Sequence, residues 1–261
     1  MDIERIKQIG IRAAYQGGEV LNRYFGKLET VNKKGTIDLV TIADIESEKI
    51  IIDTIQSSFP DHGILAEESG LLNDLEEDRW IIDPLDGTTN YTHGLGLFAV
   101  SIAFMHKGRP IMGIVFNPFT GELFTATKNQ GAYLNHKSIT VSQTTSVGDS
   151  LLVTGFPYNF PSITPTLMKR FTNCLLTAQG IRRLGSAALD LCYVSCGRFD
   201  GFWEENLKPW DTAAGLLIVQ EAAGKVTDFK DQLYNIDKKQ IMATNGYIHA
   251  EMQTLLNIKE S

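Results

Sequence analysis

The chain contains 261 residues, and 31 acidic residues against 24 lysines and arginines give it a formal net charge of −7. This balance argues against broad binding to nucleic acids or anionic membranes, because acidic surfaces repel phosphate groups. It leaves open a phosphorylated substrate that arrives with metal ions. No stretch approaches the ~20 apolar residues of a membrane span, and three cysteines, an odd number, argue against a disulfide framework. We therefore expect a reduced, cytoplasmic protein.

Two helices are predicted near the start of the chain. Apolar residues recur near a 3.6-residue period over residues 3–21, which predicts an amphipathic helix. Thr41 followed three residues later by Asp44 matches a capping box, so a second helix should begin there and end before Pro60. The polar stretch 27–38 between the helices is predicted to be a loop or ribbon.

Short strands and helices alternate through the rest of the chain. The strands are predicted at 64–66, 80–82, 98–105, 111–116, 122–126, 151–154 and 199–203, and the helices at 164–178, 186–196 and 211–223. The alternation in blocks predicts an α/β (α+β) fold of layered sheets covered by helices. No linker divides the chain, so we expect residues 1–261 to form a single domain. Its halves, about 1–146 and 147–261, would join near Ser146–Ser150.

The segment Trp80-Ile81-Ile82-Asp83-Pro84-Leu85-Asp86-Gly87-Thr88-Thr89-Asn90 carries the clearest chemical signal. An apolar strand delivers Asp83 and Asp86 where the chain leaves the sheet. Pro84 stiffens the turn, and Gly87 allows the backbone to approach a ligand closely. Carboxylates and backbone carbonyls are the ligands of Mg²⁺ or Mn²⁺, while exposed amides beside them suit phosphate. The pattern predicts a hard-cation site beside an anion-binding turn.

Other acidic residues follow predicted strands or open predicted helices and should converge on that site. Glu67 and Glu68 follow one strand, Asp44 opens a helix, and Asp211 opens another. Of the adjacent pair, Glu67 is the one we expect at the site. Two ions held by such carboxylates about 4 Å apart can bridge a phosphate and activate a water, which is the arrangement of a two-metal hydrolase.

These motifs resemble those of the inositol monophosphatase family, within the lithium-sensitive, metal-dependent phosphatase superfamily. The resemblance runs from about Ile3 to Leu256. The segment Asp83-Pro84-Leu85-Asp86-Gly87-Thr88-Thr89-Asn90 is similar to the family's first signature, and Trp210-Asp211-Thr212-Ala213-Ala214-Gly215 to its second. The sequence resembles bacterial inositol-1-monophosphatases in particular, through Arg182-Arg183-Leu184-Gly185-Ser186-Ala187 and Lys208-Pro209-Trp210-Asp211.

The resemblance implies a role for each residue that matches the family's motifs. Mg²⁺ ions, two to three in number and replaceable by Mn²⁺, would be held by Glu67, Asp83, the Leu85 carbonyl, Asp86 and Asp211. Thr88 and Asp44, together with Glu67, would orient the attacking water. The substrate would contact Gly87, Thr88, Arg182, Gly185, Ser186, Ala187, Glu204 and Asp211, and Lys33 would lie in a mobile loop near the metals.

The resemblance also implies an α/β/α/β/α layered sandwich, a homodimer, inhibition by Li⁺, and hydrolysis of inositol 1-phosphate. The metal motifs do not separate that substrate from others used in the superfamily, namely fructose 1,6-bisphosphate, NADP, histidinol phosphate and adenosine bisphosphate. Glu204 and the stretch 185–188 favour a polyol ring. Membrane and nucleic-acid partners are not expected.

Two further functions remain open at this point. A haloacid-dehalogenase type of phosphatase uses an Asp-x-Asp-x-Thr nucleophile, but here Asp83 and Asp86 are separated by one residue too many. A non-catalytic regulatory protein that responds to metal or phosphate is the other alternative. The complete set of acidic residues argues against it.

Overall fold

The computed structural model describes residues 1–27, 31–33, 39–73, 77–157 and 163–258, with the side chains of 31–33, 39 and 40 excepted. The helices in these residues are α1 (Ile3–Tyr24), α2 (Ile42–Gln56), α3 (Thr88–Thr92), α4 (Thr164–Thr177), α5 (Ala187–Ser195), α6 (Pro209–Glu221) and α7 (His249–Leu256), with a 3₁₀ turn at Val147–Asp149. None of these helices combines the length and apolar content that crossing a bilayer requires.

The strands of the described residues belong to one ribbon and two larger sheets. They are β1 (Val31–Lys33), β2 (Leu39–Thr41), β3 (Gly63–Ala66), β4 (Gly70–Leu72), β5 (Asp78–Asp86), β6 (Ala99–His106), β7 (Arg109–Asn117), β8 (Glu122–Thr127), β9 (Ala132–Leu134), β10 (Lys137–Ile139), β11 (Leu151–Thr154), β12 (Gly180–Arg182), β13 (Gly201–Glu205), β14 (Lys225–Thr227) and β15 (Gln240–Thr244). Strands β1 and β2 pair as an antiparallel ribbon.

The first half of the chain builds a mixed sheet with the order β10-β9-β8-β7-β6-β5-β3-β4. The predicted antiparallel meander is confirmed as β6, β7 and β8. Strand β3 runs parallel to β5, so both carry the chain toward the same edge. That edge is where Glu67, Asp83 and Asp86 lie.

The second half builds a smaller sheet with the order β12-β11-β13-β15-β14. Strand β11 runs parallel to both of its neighbours, whereas β15 is antiparallel to β13 and β14. The crossovers into β12 and β13 contain α4 and α5. This arrangement brings the carboxyl ends of β11 and β13 to one edge.

Helices cover both sheets and also lie between them. Helices α1 and α2 pack on the outer face of the large sheet around one apolar cluster, which includes the fully buried Trp80. Helices α5 and α6 lie between the sheets, and α4 and α7 cover the outer face of the small sheet. The predicted α/β/α/β/α order is therefore confirmed.

The central layer explains why α5 and α6 lack a polar face. Every residue of α5 is buried, because a helix between two sheets has no side exposed to water. Close packing there depends on glycine: a Cβ on Gly113 of β7 would lie 2.7 Å from the Ala214 carbonyl oxygen of α6. Because α5 and α6 come from the second half yet pack on the first sheet, we propose that the chain folds as one domain.

The second predicted helix begins at its predicted cap. The Thr41 hydroxyl accepts hydrogen bonds from the amides of Ala43 at 3.1 Å and Asp44 at 3.4 Å. The Asp44 carboxylate accepts in return from the Thr41 amide at 2.8 Å, which completes the capping box. The cap thereby fixes Asp44 at the start of α2, facing the edge of the large sheet.

Candidate active site

A cavity of about 770 Å³ lies between the halves of the chain, at the edge where β5 and β13 end. Its wall contains an unusual concentration of acidic side chains. These are Glu67, Asp83, Asp86, Asp190, Glu204, Asp211 and Asp237, and the cations beside them are Arg183, Lys208 and Lys239.

Asp83, Asp86 and Asp211 form the densest part of this acidic wall. One carboxylate oxygen from each lies within 4.8 Å of the others. Side chains three residues apart on a regular strand point to opposite faces. In β5 the register with β6 shifts between Asp83 and Asp86, at the turn that contains Pro84, so both acids face the cavity. The start of α6 supplies Asp211.

The environment of these carboxylates disfavours their charged form. Burial, with the charges of Glu67, Asp86 and Asp211, raises the pKa of Asp83 well above its usual range. Burial raises the pKa of Asp86 to about 6, and burial with the charge of Asp86 raises that of Asp211 to about 7. Three carboxylates held this close carry more negative charge than the neighbouring Lys208 offsets, which fits a divalent cation. The residues present therefore suit the predicted metal.

Asp86 is held in place by the start of α5. Its Oδ2 atom accepts hydrogen bonds from the Ser186 hydroxyl at 2.5 Å and from the Ala188 amide at 2.8 Å. The positive end of the helix dipole also favours a carboxylate at this position. Ser186 was predicted to contact substrate, and it lines the cavity, but its hydroxyl is engaged with Asp86.

Thr88 and Asp44 are brought together beside the acidic cluster. The Thr88 hydroxyl lies 3.3 Å from Asp44 Oδ1 and 3.1 Å from the Leu85 carbonyl oxygen, and it can donate its one proton to either. Burial raises the pKa of Asp44 to about 6. Thr88, Asp44 and Leu85, each predicted as a site residue, thus lie in one hydrogen-bonded group.

Glu67 lies at the end of β3 and lines the cavity, as predicted. Its position depends on Glu48, a 5% exposed residue of α2 that was not predicted. The Glu48 carboxylate accepts hydrogen bonds from the amides of Glu68 at 2.8 Å and Ser69 at 2.9 Å, which fixes the turn after Glu67. Glu48 lies one helical turn after Asp44, on the same face of α2. The four-residue spacing of Asp44 and Glu48 is the feature of the sequence that could have indicated a role for Glu48 at this site.

Gly87 and Gly185 allow two backbone segments to meet at the wall of the cavity. Both have positive φ angles, +95° and +90°, which glycine adopts without strain. A Cβ on Gly87 would lie 2.9 Å from the Leu97 carbonyl oxygen and 3.3 Å from that of Gly185. Asn90 connects the same segments by donating to the Leu97 and Leu184 carbonyls at 2.8 and 2.7 Å. Ala187 lines the cavity next to them.

Glu204 faces the cavity from the end of β13. It is 7% exposed, and burial, with the charges of Asp211 and Asp86, raises its pKa well above the usual range. A Cβ on Gly155 would lie 2.2 Å from Glu204 Oε2, so the absence of a side chain there makes room for the carboxyl group. The next residue, Glu205, points to the other face and pairs with the buried Arg170 at 2.7 Å.

Arg182 is a predicted site residue that the structure does not bring to the cavity. Arg182 is exposed, donates to the Ile181 carbonyl at 3.0 Å, and is absent from the described lining of the cavity. The neighbouring Arg183 lines the cavity instead, because successive side chains at the end of a strand point to opposite sides. The backbone of Lys33 lies in β1, and its side chain is outside the described residues.

Comparison with known proteins agrees with this geometry. A model of the inositol monophosphatase family matches residues 2–259. The chain belongs to the inositol monophosphatase family. The predicted resemblance and the predicted enzyme class, a phosphatase, are thereby confirmed, and the family's dependence on metal ions agrees with the acidic cluster.

Individual relatives carry two kinds of name. An inositol-1-monophosphatase of Synechocystis is 44% identical over 259 residues, 98% of this chain and 90% of that protein. A Nus factor SuhB of Haemophilus influenzae is 45% identical over 247 residues, 94% of this chain and 92% of that protein. The crystal structure of the extragenic suppressor protein SuhB from Bartonella henselae has a TM-score of 0.94 at 40% identity, with 98% of this chain and 100% of that chain covered.

Proposed function

We propose that this member of the inositol monophosphatase family is a Mg²⁺-dependent phosphomonoesterase that hydrolyses inositol 1-phosphate to inositol and inorganic phosphate. The observation that carries the proposal is the convergence of the Asp83, Asp86 and Asp211 oxygens within 4.8 Å in a cavity large enough for a sugar-sized phosphate. The 44% identity to the Synechocystis inositol-1-monophosphatase supports the choice of substrate.

Two to three Mg²⁺ ions would be held by Glu67, Asp83, the Leu85 carbonyl, Asp86 and Asp211. Bound divalent ions would lower the pKa of a coordinated water toward ~7 and offset the negative charge of the phosphate. Mn²⁺ has similar ligand preferences and is expected to substitute, and Li⁺ is expected to inhibit.

The chain's own contribution is to orient the water and remove its proton. With the Thr88 proton directed to Asp44 Oδ1 at 3.3 Å, a lone pair of the Thr88 oxygen is free to accept from the water. Asp44, whose pKa is raised to about 6, is suited to receive the proton that passes through Thr88. Glu67 would fix the same water from the end of the neighbouring strand β3.

The substrate is expected to span the cavity from the acidic cluster to Glu204. The amides of Gly87 and Thr88 would donate to the phosphate oxygens. Glu204 would accept from hydroxyl groups of the alcohol portion, beside Gly185 and Ala187. Arg183 takes the substrate-side position that the resemblance gave to Arg182, because its side chain is the one that lines the cavity.

The proposal is tested by measuring phosphate release from a panel of monoesters with and without Mg²⁺ and Li⁺. We expect the highest kcat/KM for inositol 1-phosphate, no turnover in EDTA, and inhibition by Li⁺. A preference of about tenfold for fructose 1,6-bisphosphate, NADP or histidinol phosphate would contradict the substrate. A trapped phospho-enzyme would contradict attack by water.

A second, non-catalytic role is a candidate because a relative named Nus factor SuhB is as similar as the named phosphatase, at 45% against 44% identity. A folded but inactive variant separates the two functions, since only a non-catalytic role survives it. We further propose that the protein acts as a cytoplasmic homodimer without membrane or nucleic-acid ligands.

A further inference from the structure

Asp190 of α5 is an acidic residue of the cavity wall that the proposed mechanism does not use. It lies on the first turn of α5, one turn beyond Ser186, and is 1% exposed. Its Oδ1 atom is buried and has no hydrogen-bond partner among the described residues. An unpaired buried carboxyl oxygen costs stability. Because Asp190 also lines the cavity, its carboxyl group is placed to form a hydrogen bond with a ligand there.

The surroundings of Asp190 show which part of a ligand it would meet. Asp86 accepts a hydrogen bond from the first turn of α5, and Glu204 and Arg183 line the same cavity as Asp190. Burial and the negative charges of Glu204 and Asp86 raise the pKa of Asp190, while the Arg183 guanidinium opposes this. Asp190, Glu204 and Arg183 thus form one polar group, next to the acidic cluster that would hold the metal.

We propose that Asp190 is a specificity-determining residue that, together with Glu204 and Arg183, binds hydroxyl groups on the alcohol portion of the substrate. The inference rests on the proposed function, because it assumes a phosphate monoester held by the acidic cluster.

A hydroxyl group both donates and accepts, so neighbouring hydroxyls match two carboxyl groups and one guanidinium. Rotation about χ2, which is broad for aspartate, presents either carboxyl oxygen to the cavity. Two carboxyl groups beside a single guanidinium leave no excess positive charge for a second phosphate. The same group therefore favours a neutral polyol over a bisphosphate.

The test compares two substrates that differ in their alcohol portion, inositol 1-phosphate and p-nitrophenyl phosphate, whose ring carries no hydroxyl group. We expect Asp190→Leu to lower kcat/KM for inositol 1-phosphate by about tenfold or more, mainly through KM. Hydrolysis of p-nitrophenyl phosphate should stay within about twofold. Asp190→Asn, which keeps a donor and an acceptor, should recover most of the loss.

Thermal denaturation of the same variants separates a substrate contact from a structural role. Asp190→Leu removes an unpaired buried carboxyl group, so its Tm should equal or exceed that of the wild type. A lower Tm together with an equal loss on both substrates would overturn the inference. Asp190→Ala provides the same test without added volume if leucine is not accommodated. The exposed Asp149 provides a matched control, Asp149→Asn, that should change neither substrate.

The wild-type protein keeps this inference distinct from the proposed function. If it cleaves p-nitrophenyl phosphate but not inositol 1-phosphate, the proposed substrate is wrong, and the Asp190 variants are compared on the hydroxylated phosphate that it prefers. If Asp190→Leu leaves selectivity for hydroxylated substrates unchanged, the inference is wrong while the proposed function stands.

Discussion

The Ser186 hydroxyl donates a 2.5 Å hydrogen bond to Oδ2 of Asp86, although the two residues lie 100 positions apart in the chain. Asp86 comes from β5 of the first half, and Ser186 is the N-cap of α5 in the second half. The bond therefore joins the halves at one carboxylate of the proposed metal site. Packing between the halves and metal affinity should depend on each other.

Ser186→Ala removes a donor from a buried carboxylate that is expected to bind Mg²⁺. The half-saturating Mg²⁺ concentration should rise by about 10-fold or more, because partners that orient metal ligands affect affinity to this extent. Activity measured against Mg²⁺ concentration provides the measurement. Ser195→Ala is the matched control, since Ser195 lies on the same helix and bonds only to the Cys192 carbonyl in the described structure. An equal effect of both substitutions would contradict the prediction.

Metal-free protein should lose stability as the pH rises. The pKa of Asp86 is raised from 3.8 to about 6 and that of Asp211 from 3.8 to about 7, mainly by burial. Between those values the folded state holds protons that the unfolded state has released, so unfolding becomes easier as the pH increases. In EDTA, Tm should therefore fall between about pH 4 and 7.

Mg²⁺ should reverse that dependence, because it binds the ionised carboxylates. The increase in Tm on adding Mg²⁺ is expected to be larger at about pH 8 than at about pH 5. Thermal denaturation at both pH values, with EDTA or Mg²⁺, measures it. A Mg²⁺ effect that does not grow with pH would show that these carboxylates are not the ligands.

Asp86→Asn should remove activity while the fold is retained. The amide can still accept from Ser186 and Ala188, but it lacks the charge that a metal requires, so kcat/KM should fall by about 100-fold or more. Without metal, the variant should be at least as stable as the wild type at neutral pH, because a buried charge is gone. Wild-type turnover would refute the site. The inactive protein also tests whether a non-catalytic role persists.

Gly155→Ala should displace Glu204. Its new Cβ would lie 2.2 Å from Oε2 of that carboxyl group, which forces the side chain out of its present position. We expect KM for inositol 1-phosphate to rise about tenfold, with p-nitrophenyl phosphate little affected. Gly148→Ala is the control, because the nearest atoms would lie 3.5 Å or more from its Cβ. Unchanged KM for inositol 1-phosphate would argue against Glu204 as a substrate contact.

Glu48→Ala should release the turn that follows Glu67. Two amides lose their charged acceptor, which should lower stability by about 2–3 kcal/mol and reduce kcat. Glu46→Ala, on the same helix, removes only a half-exposed acceptor of the Tyr24 hydroxyl and should cost about 1 kcal/mol or less. Denaturant titration and initial rates measure both effects. If added Mg²⁺ restored full kcat in Glu48→Ala, the substitution would weaken only the affinity for Mg²⁺, and the predicted fall in kcat would be wrong.

Local signals in the sequence were sufficient for most elements. The 3.6-residue recurrence of apolar residues identified α1, and the Thr41–Asp44 cap identified α2. Turn residues identified the meander of β6, β7 and β8. The start of α6 was placed two residues late, because Pro209 opens the helix and Asp211 already lies in its first turn. Proline at the first helical position lacks the amide hydrogen that would be left unpaired there. Its ring also fixes φ near the helical value, so the helix begins at Pro209.

The candidate metal site followed from the sequence, whereas the rest of the cavity wall did not. Asp83, Asp86 and Asp211 stand in compact motifs whose spacing indicates their chemistry. Arg183 could not be distinguished from Arg182, since adjacent positions differ only in the face they occupy. Asp190 follows Ser186 by one helical turn on a helix that is buried all around, so no polar pattern separates it from a core residue.

The sequence by itself determined the family, the order of the main helices and strands as far as α6, and the acidic groups available for a metal, because these depend on local spacing and composition. Only the tertiary structure decided where the acidic residues behind the net charge of −7 are placed. It buries Asp83, Asp86, Asp190 and Glu204 in one cavity drawn from both halves of the chain. Burial and mutual repulsion arise from distances between residues far apart in sequence, and those forces raise the pKa values and create the need for a cation.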